Sequence, residues 1–316
     1  MTLDAAPDGL RRIAFLGPEG TFTEQALLSQ PDLAGQELVP MSTFGEVLAA
    51  VDRGQADLGF VGLENSIEGT VTVTIDALAL EHDLVIQREV VLGIQLNLLA
   101  PAGVALGDID RILTFPVAAG QCRTWLANHL PGVEVVAANS NAEAAQLVST
   151  NADGHSAAVA PALAAKIYGL EVLAEDIEDH SENETRFVLV GRNTIPAPTG
   201  HDKSTIVVFQ RTDQSGSLLA ILQEFAARAI NLTKLESRPT KKQLGDYCFV
   251  IDLEGHIADE VVADCLRTLR TKVADIKFLG SYPAAGDHGA AVRRDAEASW
   301  READQWVADL RSHLEP

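Results

Sequence analysis

The sequence predicts an α/β protein made of two similar lobes, followed by a separate ferredoxin-like βαββαβ domain. The first observation is alternation. Up to Gly191, short apolar runs of strand character alternate with capped helical segments, the order from which layered α/β folds are built. The second is an internal echo. Thr43-Phe44-Gly45-Glu46 has capping-box spacing and opens a helix through Val51; Gly54-Gln55-Ala56-Asp57 then turns into the strand Leu58 to Val61. Ser140-Asn141-Ala142-Glu143 opens a second such helix through Val148, and Asn151-Ala152-Asp153-Gly154 turns into the strand Ala157 to Ala160. The third is the order of elements after a linker, 193–202, that holds Pro196 and Pro198 and little apolar content.

Each element has its own signal. Ile13-Ala14-Phe15-Leu16 is a strand running into Gly17-Pro18-Glu19-Gly20-Thr21-Phe22-Thr23-Glu24, where Thr21 and Glu24 have capping-box spacing. A helix beginning there aims free N–H groups at the loop, a setting that favours anions. The strand from Leu58 delivers Gly62-Leu63-Glu64-Asn65-Ser66-Ile67-Glu68-Gly69-Thr70 to its carboxyl end, where open α/β sheets bind ligands. Glu184-Thr185-Arg186-Phe187 runs into Val188-Leu189-Val190, a short buried strand. Beyond the linker come a strand Thr205 to Phe209, an amphipathic helix Gly216 to Ala229, and strands Leu232 to Glu236 and Tyr247 to Leu253. A helix Asp259 to Leu269 and a strand Lys277 to Tyr282 complete the βαββαβ set. In the tail, Trp300, Val307 and Leu310 share one helical face, read as packing.

Composition narrows the function. A chain of 316 residues exceeds what one core usually serves, so two or three domains are expected. A formal net charge of −21 argues against a nucleic-acid partner, which needs a basic face. Cys122, Cys248 and Cys265 are widely spaced and read as reduced buried thiols; the eight histidines show no ligand spacing, so no metal is expected. Residues 1–10 lack the pattern of a secretory signal, and charges interrupt every apolar run, so a cytoplasmic protein without membrane association is expected.

Thr185 and Arg186 side by side carry the chemistry. The guanidinium offers a planar fork to a carboxylate and the threonine one orientable O–H, a pairing suited to an anion that needs a proton delivered nearby. In an acidic protein the attraction for such a substrate must be local, from Arg186 and helix termini. With Glu64-Asn65-Ser66, Gly17-Pro18, Thr185-Arg186-Phe187 and Glu236-Ser237-Arg238-Pro239 in this order, the chain resembles the prephenate dehydratases over about residues 11–282.

The resemblance implies a periplasmic-binding-protein-like catalytic domain at 11–192, with lobe one at 11–90 plus 179–192 and lobe two at 91–178. It also implies an ACT regulatory domain at 203–283 and a partly helical tail at 284–316. The expected activity is that of a carbon–oxygen lyase without cofactor, converting prephenate to phenylpyruvate, carbon dioxide and water. By resemblance Thr185, Arg186, Glu64 and Asn65 are catalytic, and Ser66, Thr70, Thr21, Thr23, Gln121 and Phe187 bind substrate. Glu64 either orients Asn65 and Ser66 or enters neutral. Thr21 and Thr23 have helix capping as their other reading. In lobe two the family's His-Pro-Gln segment is replaced by Thr114-Phe115-Pro116-Val117, although Gln121-Cys122 stands.

In the ACT module the resemblance places phenylalanine, as allosteric effector, at Ser215, Gly216, Ser217, Leu218, Leu219, Asn231, Leu232, Glu236 and Ser237, between two copies of the domain, hence a homodimer or homotetramer. Arogenate dehydratase and a non-catalytic amino-acid-binding regulator are the rival functions.

Overall fold

The computed structural model of the chain describes residues 10–210, 214–241, 245–285, 302 and 305–313, so Trp300 lies outside the described residues. The described residues form two compact units, one of those up to Ile75 with Val90–Leu189 and one of Asp76–Glu89 with those from Val190 onward.

The chain begins with β1 (Arg12–Leu16), α1 (Phe22–Leu28), α2 (Pro31–Ala34), β2 (Glu37–Met41), α3 (Phe44–Asp52), β3 (Leu58–Asn65), the two-residue β4 (Gly69–Thr70), α4 (Thr72–Leu80) and β5 (Val85–Gly93). A second run follows: β6 (Asn97–Ala100), β7 (Arg111–Thr114), α5 (Pro116–Gln121), α6 (Arg123–His129), β8 (Glu134–Ala137), α7 (Asn141–Asn151), β9 (Ser156–Ala160), α8 (Ala162–Tyr168) and β10 (Glu171–Ala174). Then β11 (Glu184–Gly191) returns to the first sheet.

The two sheets share a plan. The first has the order β2-β1-β3-β11-β5 and the second β8-β7-β9-β6-β10. In each, a parallel triple is followed by strands added from elsewhere in the chain. The repeated phrase occupies equivalent places, α3 leading into β3 and α7 into β9. Its caps are real: Thr43 Oγ1 accepts from the Glu46 N–H (3.1 Å) and Ser140 Oγ from the Glu143 N–H (3.0 Å). Each glutamate in turn accepts from the residue before its cap, Ser42 or Asn139. Such reciprocal bonds satisfy N–H groups that a helix start leaves over, so the local sequence alone decides where these helices begin.

Ile13, Phe15, Leu27, Phe60, Phe187 and Leu189 form the core of the first lobe. The second sheet is covered on both faces, with Leu98, Ile112 and Val159 on one side and Leu99, Leu113 and Ala158 on the other. Phe22 and Leu92 pack against the cores of both lobes. The two crossings between lobes run side by side: the Ile94 N–H donates to the Asn183 carbonyl (2.7 Å) and the Ile177 N–H to that of Leu96 (2.8 Å).

The C-terminal unit is built on β12 (Asp202–Phe209), α9 (Ser217–Ala226), β13 (Leu232–Pro239), β14 (Tyr247–Glu254), α10 (Glu260–Lys272) and β15 (Asp275–Pro283). The antiparallel order β13-β14-β12-β15 is that of a ferredoxin-like sheet. Ile206, Val208, Ile251 and Leu253 face the helices, meeting Ile221, Phe225, Val262 and Leu269. A register shift between Leu232 and Lys234 turns the rest of β13 over, so Lys234, Glu236 and Arg238 share the opposite side. In the tail Leu310 is exposed, so among the described residues that helix does not bury the face expected of it.

Residues 76–89 are held by ion pairs. Asp76 takes Arg238 (2.9 Å) and Lys241 (3.1 Å), and the buried Glu89 takes Lys203 (3.0 Å). Burial opposes the Asp76 charge, but the bonds from Arg238 and Lys241 outweigh it and hold its pKa below the ordinary value. A carboxyl whose folded pKa is depressed stabilises the fold above its unfolded pKa, and that contribution is lost as pH falls through the folded value. Asp76→Asn is therefore expected to lower the melting temperature at pH 7, with the difference from wild type closing below about pH 4. Thermal melts of both proteins across this range check it.

Candidate active site

β3 reaches four residues beyond the run that signals it, to Asn65, and β11 begins at Glu184, before its apolar stretch. Each extension supports the other. The Ser66 N–H donates to the Glu184 carbonyl (2.8 Å), the Ser66 hydroxyl donates to the Glu182 carbonyl (3.2 Å), and the Glu184 N–H returns a bond to that hydroxyl (2.9 Å). Ser66 is thus spent on joining strands. Glu64 and Thr70 stand opposite each other in the β3–β4 hairpin.

Asn65 is the centre of this arrangement. Its Oδ1 accepts the backbone N–H groups of Ile67 (3.0 Å) and Glu68 (2.9 Å), so the NH2 end must face the other way. There Nδ2 reaches Asn183 Oδ1 (2.8 Å), the Glu184 carbonyl (3.1 Å) and Thr185 Oγ1 (2.9 Å). An amide NH2 accepts nothing, so the Thr185 hydroxyl is an acceptor in this contact and its own proton points elsewhere. Among the described residues no other protein group shares that hydroxyl.

Arg186, on the next residue, pairs with Glu64 (3.5 Å) and is largely buried. Phe187 turns inward and stacks on Phe60, with ring centroids 5.5 Å apart. At 3% exposed it belongs to the core and braces its two neighbours from beneath. Gln121 closes α5 on lobe two; Asn183 Nδ2 donates to its Oε1 (3.0 Å), and its Nε2 donates to Glu68 (3.3 Å). Asn183 and Glu68 were not singled out by their sequence. Asn183 lies in the polar run His180 to Glu184, which reads as surface, yet it is 1% exposed.

The first loop takes the capping reading. Thr21 Oγ1 donates to the Leu16 carbonyl (2.9 Å) and accepts from the Glu24 N–H (3.2 Å), and Thr23 is buried in α1. Burial pushes the Glu24 carboxyl pKa up, with the Gly20 N–H opposing and Glu19 adding. Gly20 lies at φ +87° with Ala164 and Tyr168 of α8 where a Cβ would stand, 3.2–3.3 Å away. A cavity of about 630 Å³ opens near this loop, between Gly17, Pro18, Met41 and Ser42 on one lobe and Asn139, Ser140 and Glu143 on the other. Parallel pairing puts the ends of β1, β2 and β3 on one side of the sheet, so the cavity and Asn65 share that side.

In the C-terminal unit the expected effector residues separate. Ser215, Gly216 and Ser217 line a cavity of about 380 Å³ with Gln210 and Lys272, and Ser217 Oγ donates to Gln210 Oε1 (2.6 Å). Leu218 packs on the core and Leu219 is exposed. Asn231, Leu232, Glu236 and Ser237 belong to β13 and the residue before it, and none lines that cavity. Asn231 donates to Glu254 (3.0 Å), and Glu236 pairs with Lys234 and Arg238. The described residues contain no cluster of His, Cys, Asp and Glu fit for a metal, and no helix among them is long and apolar enough to cross a membrane.

Residues 13–195 match the model of the prephenate dehydratase family and residues 204–271 that of the ACT domain. This chain belongs to the prephenate dehydratase family. It is 46% identical over 305 residues to a prephenate dehydratase of Mycolicibacterium vanbaalenii, covering 92% of this chain and 97% of the other. Its fold is similar to that of the Arthrobacter aurescens prephenate dehydratase solved in complex with L-Phe, at TM-score 0.87 and 41% identity, covering 95% and 99% of the two chains. It is similar also to GqqA, described as a novel type of quorum quenching acylase, at TM-score 0.79 and 34% identity, covering 87% and 98%. The shared fold is a two-lobed binding-protein-like domain followed by an ACT domain.

The close approach of Gly20 to α8 gives an expectation independent of the chemistry. Gly20→Ala is expected to cost about 1–2 kcal/mol of stability through its positive φ alone, with the crowding against Ala164 adding to it. Urea unfolding of the two proteins measures it.

Proposed function

We propose that this member of the family converts prephenate to phenylpyruvate, carbon dioxide and water at Thr185, and that L-phenylalanine is its effector at the ACT domain. The observation that carries the catalytic reading is the 2.9 Å contact in which the Asn65 amide donates to the Thr185 hydroxyl. A threonine held as acceptor has its proton free for a leaving group.

The reaction breaks the bond from ring carbon to carboxylate, and the electron pair enters the ring as carbon dioxide leaves. The ring C–O bond breaks in concert or after it, and the departing hydroxide takes up one proton to become water. Aromatisation supplies the drive, so the protein's task is to make hydroxide leave. An unperturbed threonine is a poor acid; its O–H acts by stabilising charge as it develops on the leaving oxygen, with the donated Asn65 bond polarising it. Arg186 meets the carboxylate that the product retains. Its pairing with Glu64 limits the excess positive charge and fixes the guanidinium before substrate arrives. Ser66, Thr21 and Phe187 act as support in this reading, since their polar groups or rings are engaged inside the protein.

The likeness to GqqA offers an acyl-transfer reading, and the site argues against it. Hydrolysis by a hydroxyl nucleophile needs a base on the hydroxyl, and the Asn65 amide takes no proton. Arogenate differs from prephenate by an ammonium in place of a ketone, and turnover of the two substrates by the purified protein separates these readings.

Two expectations follow for catalysis. Thr185→Val is expected to fold and bind substrate, with turnover falling at least about a hundredfold. Phenylpyruvate formation from prephenate measures this, and a variant keeping half the wild-type turnover removes Thr185 from the mechanism. Arg186→Lys keeps the charge without the fork and is expected to raise KM by about tenfold or more, with a smaller effect on kcat.

For regulation, the cavity beside the start of α9 and the φ of +86° at Gly216 support phenylalanine binding there. The space around Gly216 is open, so its requirement for glycine is conformational. Gly216→Val is expected to relieve phenylalanine inhibition while leaving uninhibited activity near wild type. Calorimetric titration with phenylalanine beside the activity assay tests it; binding unchanged in the variant would put the effector elsewhere.

A further inference from the structure

The amides around Thr185 form a chain whose direction is fixed at one end. The Ile67 and Glu68 N–H groups set Asn65, which must then donate to Asn183 Oδ1 (2.8 Å). With its oxygen so engaged, Asn183 turns Nδ2 toward Gln121 and donates to Oε1 (3.0 Å). Gln121 is left with its NH2 end outward, where it meets the Glu68 carboxylate (3.3 Å). We infer that Asn183 is a positioning residue that makes Gln121 present its N–H end to an anionic substrate; the inference rests on the proposed reaction at Thr185.

The reason lies in the two faces of an amide. Gln121 is part-exposed and on lobe two, and nothing in its own backbone decides which way its amide is turned. Rotated by half a turn it would present an oxygen to a substrate with two carboxylates. Asn183, 1% exposed and anchored on lobe one through Asn65, holds one end of that amide by a part-buried bond, with which the longer, exposed contact of Glu68 at the other end agrees. It also gives lobe two a donor without adding a cation, which suits a site whose arginine is already paired with Glu64.

The test is steady-state kinetics with prephenate on the full chain in four proteins: wild type, Asn183→Leu, Gln121→Ala and the double variant. Because Ile67 and Glu68 continue to hold Asn65, Asn183→Leu is expected to leave kcat within about threefold. It should raise KM about tenfold, the value of a hydrogen bond to a charged group. In the Gln121→Ala background the same substitution should raise KM less than about threefold, since the group it orients is gone. Asn183→Ser, whose hydroxyl both donates and accepts, should fall between wild type and the leucine variant, and it is read by the same criteria if the leucine variant does not fold. An unchanged KM, equal factors in the two backgrounds, or a loss carried by kcat alone overturns the inference. A wild type that makes no phenylpyruvate defeats the functional reading itself, whereas an active wild type with unmoved KM in Asn183→Leu defeats this inference only.

Discussion

The two backbone N–H groups that fix the Asn65 amide are the constraint on which the site depends. They exist because the chain turns sharply between β3 and β4, leaving N–H groups without strand partners. Asn65 satisfies both, and its other end is then obliged to donate. From that obligation follow the acceptor role of Thr185, the orientation of Asn183 and the direction of the Gln121 amide, whose NH2 end meets Glu68. A single bond of this kind contributes about 0.5–1.5 kcal/mol net, whereas breaking one to the buried Asn183 leaves a buried polar group unsatisfied, at about 1–3 kcal/mol. Such a network is held together by the cost of partial failure, and this gives Thr185 one protonation geometry.

Electrostatics imposes a second limit. A chain of net charge −21 must draw in a doubly charged anion, but a bare buried guanidinium would be costly to hold ready. The Arg186–Glu64 pair is the compromise. In the proposed reading, neutral donors carry much of the recognition, from amides and hydroxyls fixed by backbone groups. Neutral donors lose little when no substrate is present, so the site need not collapse between turnovers.

The sequence made the skeleton legible wherever the determining interactions were local. Capping boxes at Thr43 and Ser140 located the starts of α3 and α7 to within a residue, and the repeated phrase proved to mark two sheets of one plan. Strand ends were less legible, because β3 continues to Asn65 only by virtue of its neighbour 119 residues on. The site followed the same rule. Thr185 and Arg186 stood out by resemblance, while Phe187 shares the motif and is placed in the core by its stacking on Phe60. Asn183 gave no signal, since a buried asparagine in a polar run is identical in sequence to an exposed one. Its role exists only through Asn65 and Gln121, each more than 60 residues away.

The regulatory half separates the same two kinds of information. In Glu236-Ser237-Arg238-Pro239 the arginine is committed to Asp76, 162 residues earlier, and the glutamate to Lys234 and Arg238. These charges face one side of β13, whereas Ser237 is turned to the other by the shift after Leu232. A motif that reads as one ligand-binding phrase is therefore divided by strand alternation into a structural half and an available half. The start of α9, where Gly216 holds its positive φ and Ser217 is bound to Gln210, is set apart from both. A ligand touching Ser237 and Gly216 together is not held by the cavity beside α9, which Ser237 does not line. We infer from this separation that the effector site is completed by a second copy of the domain.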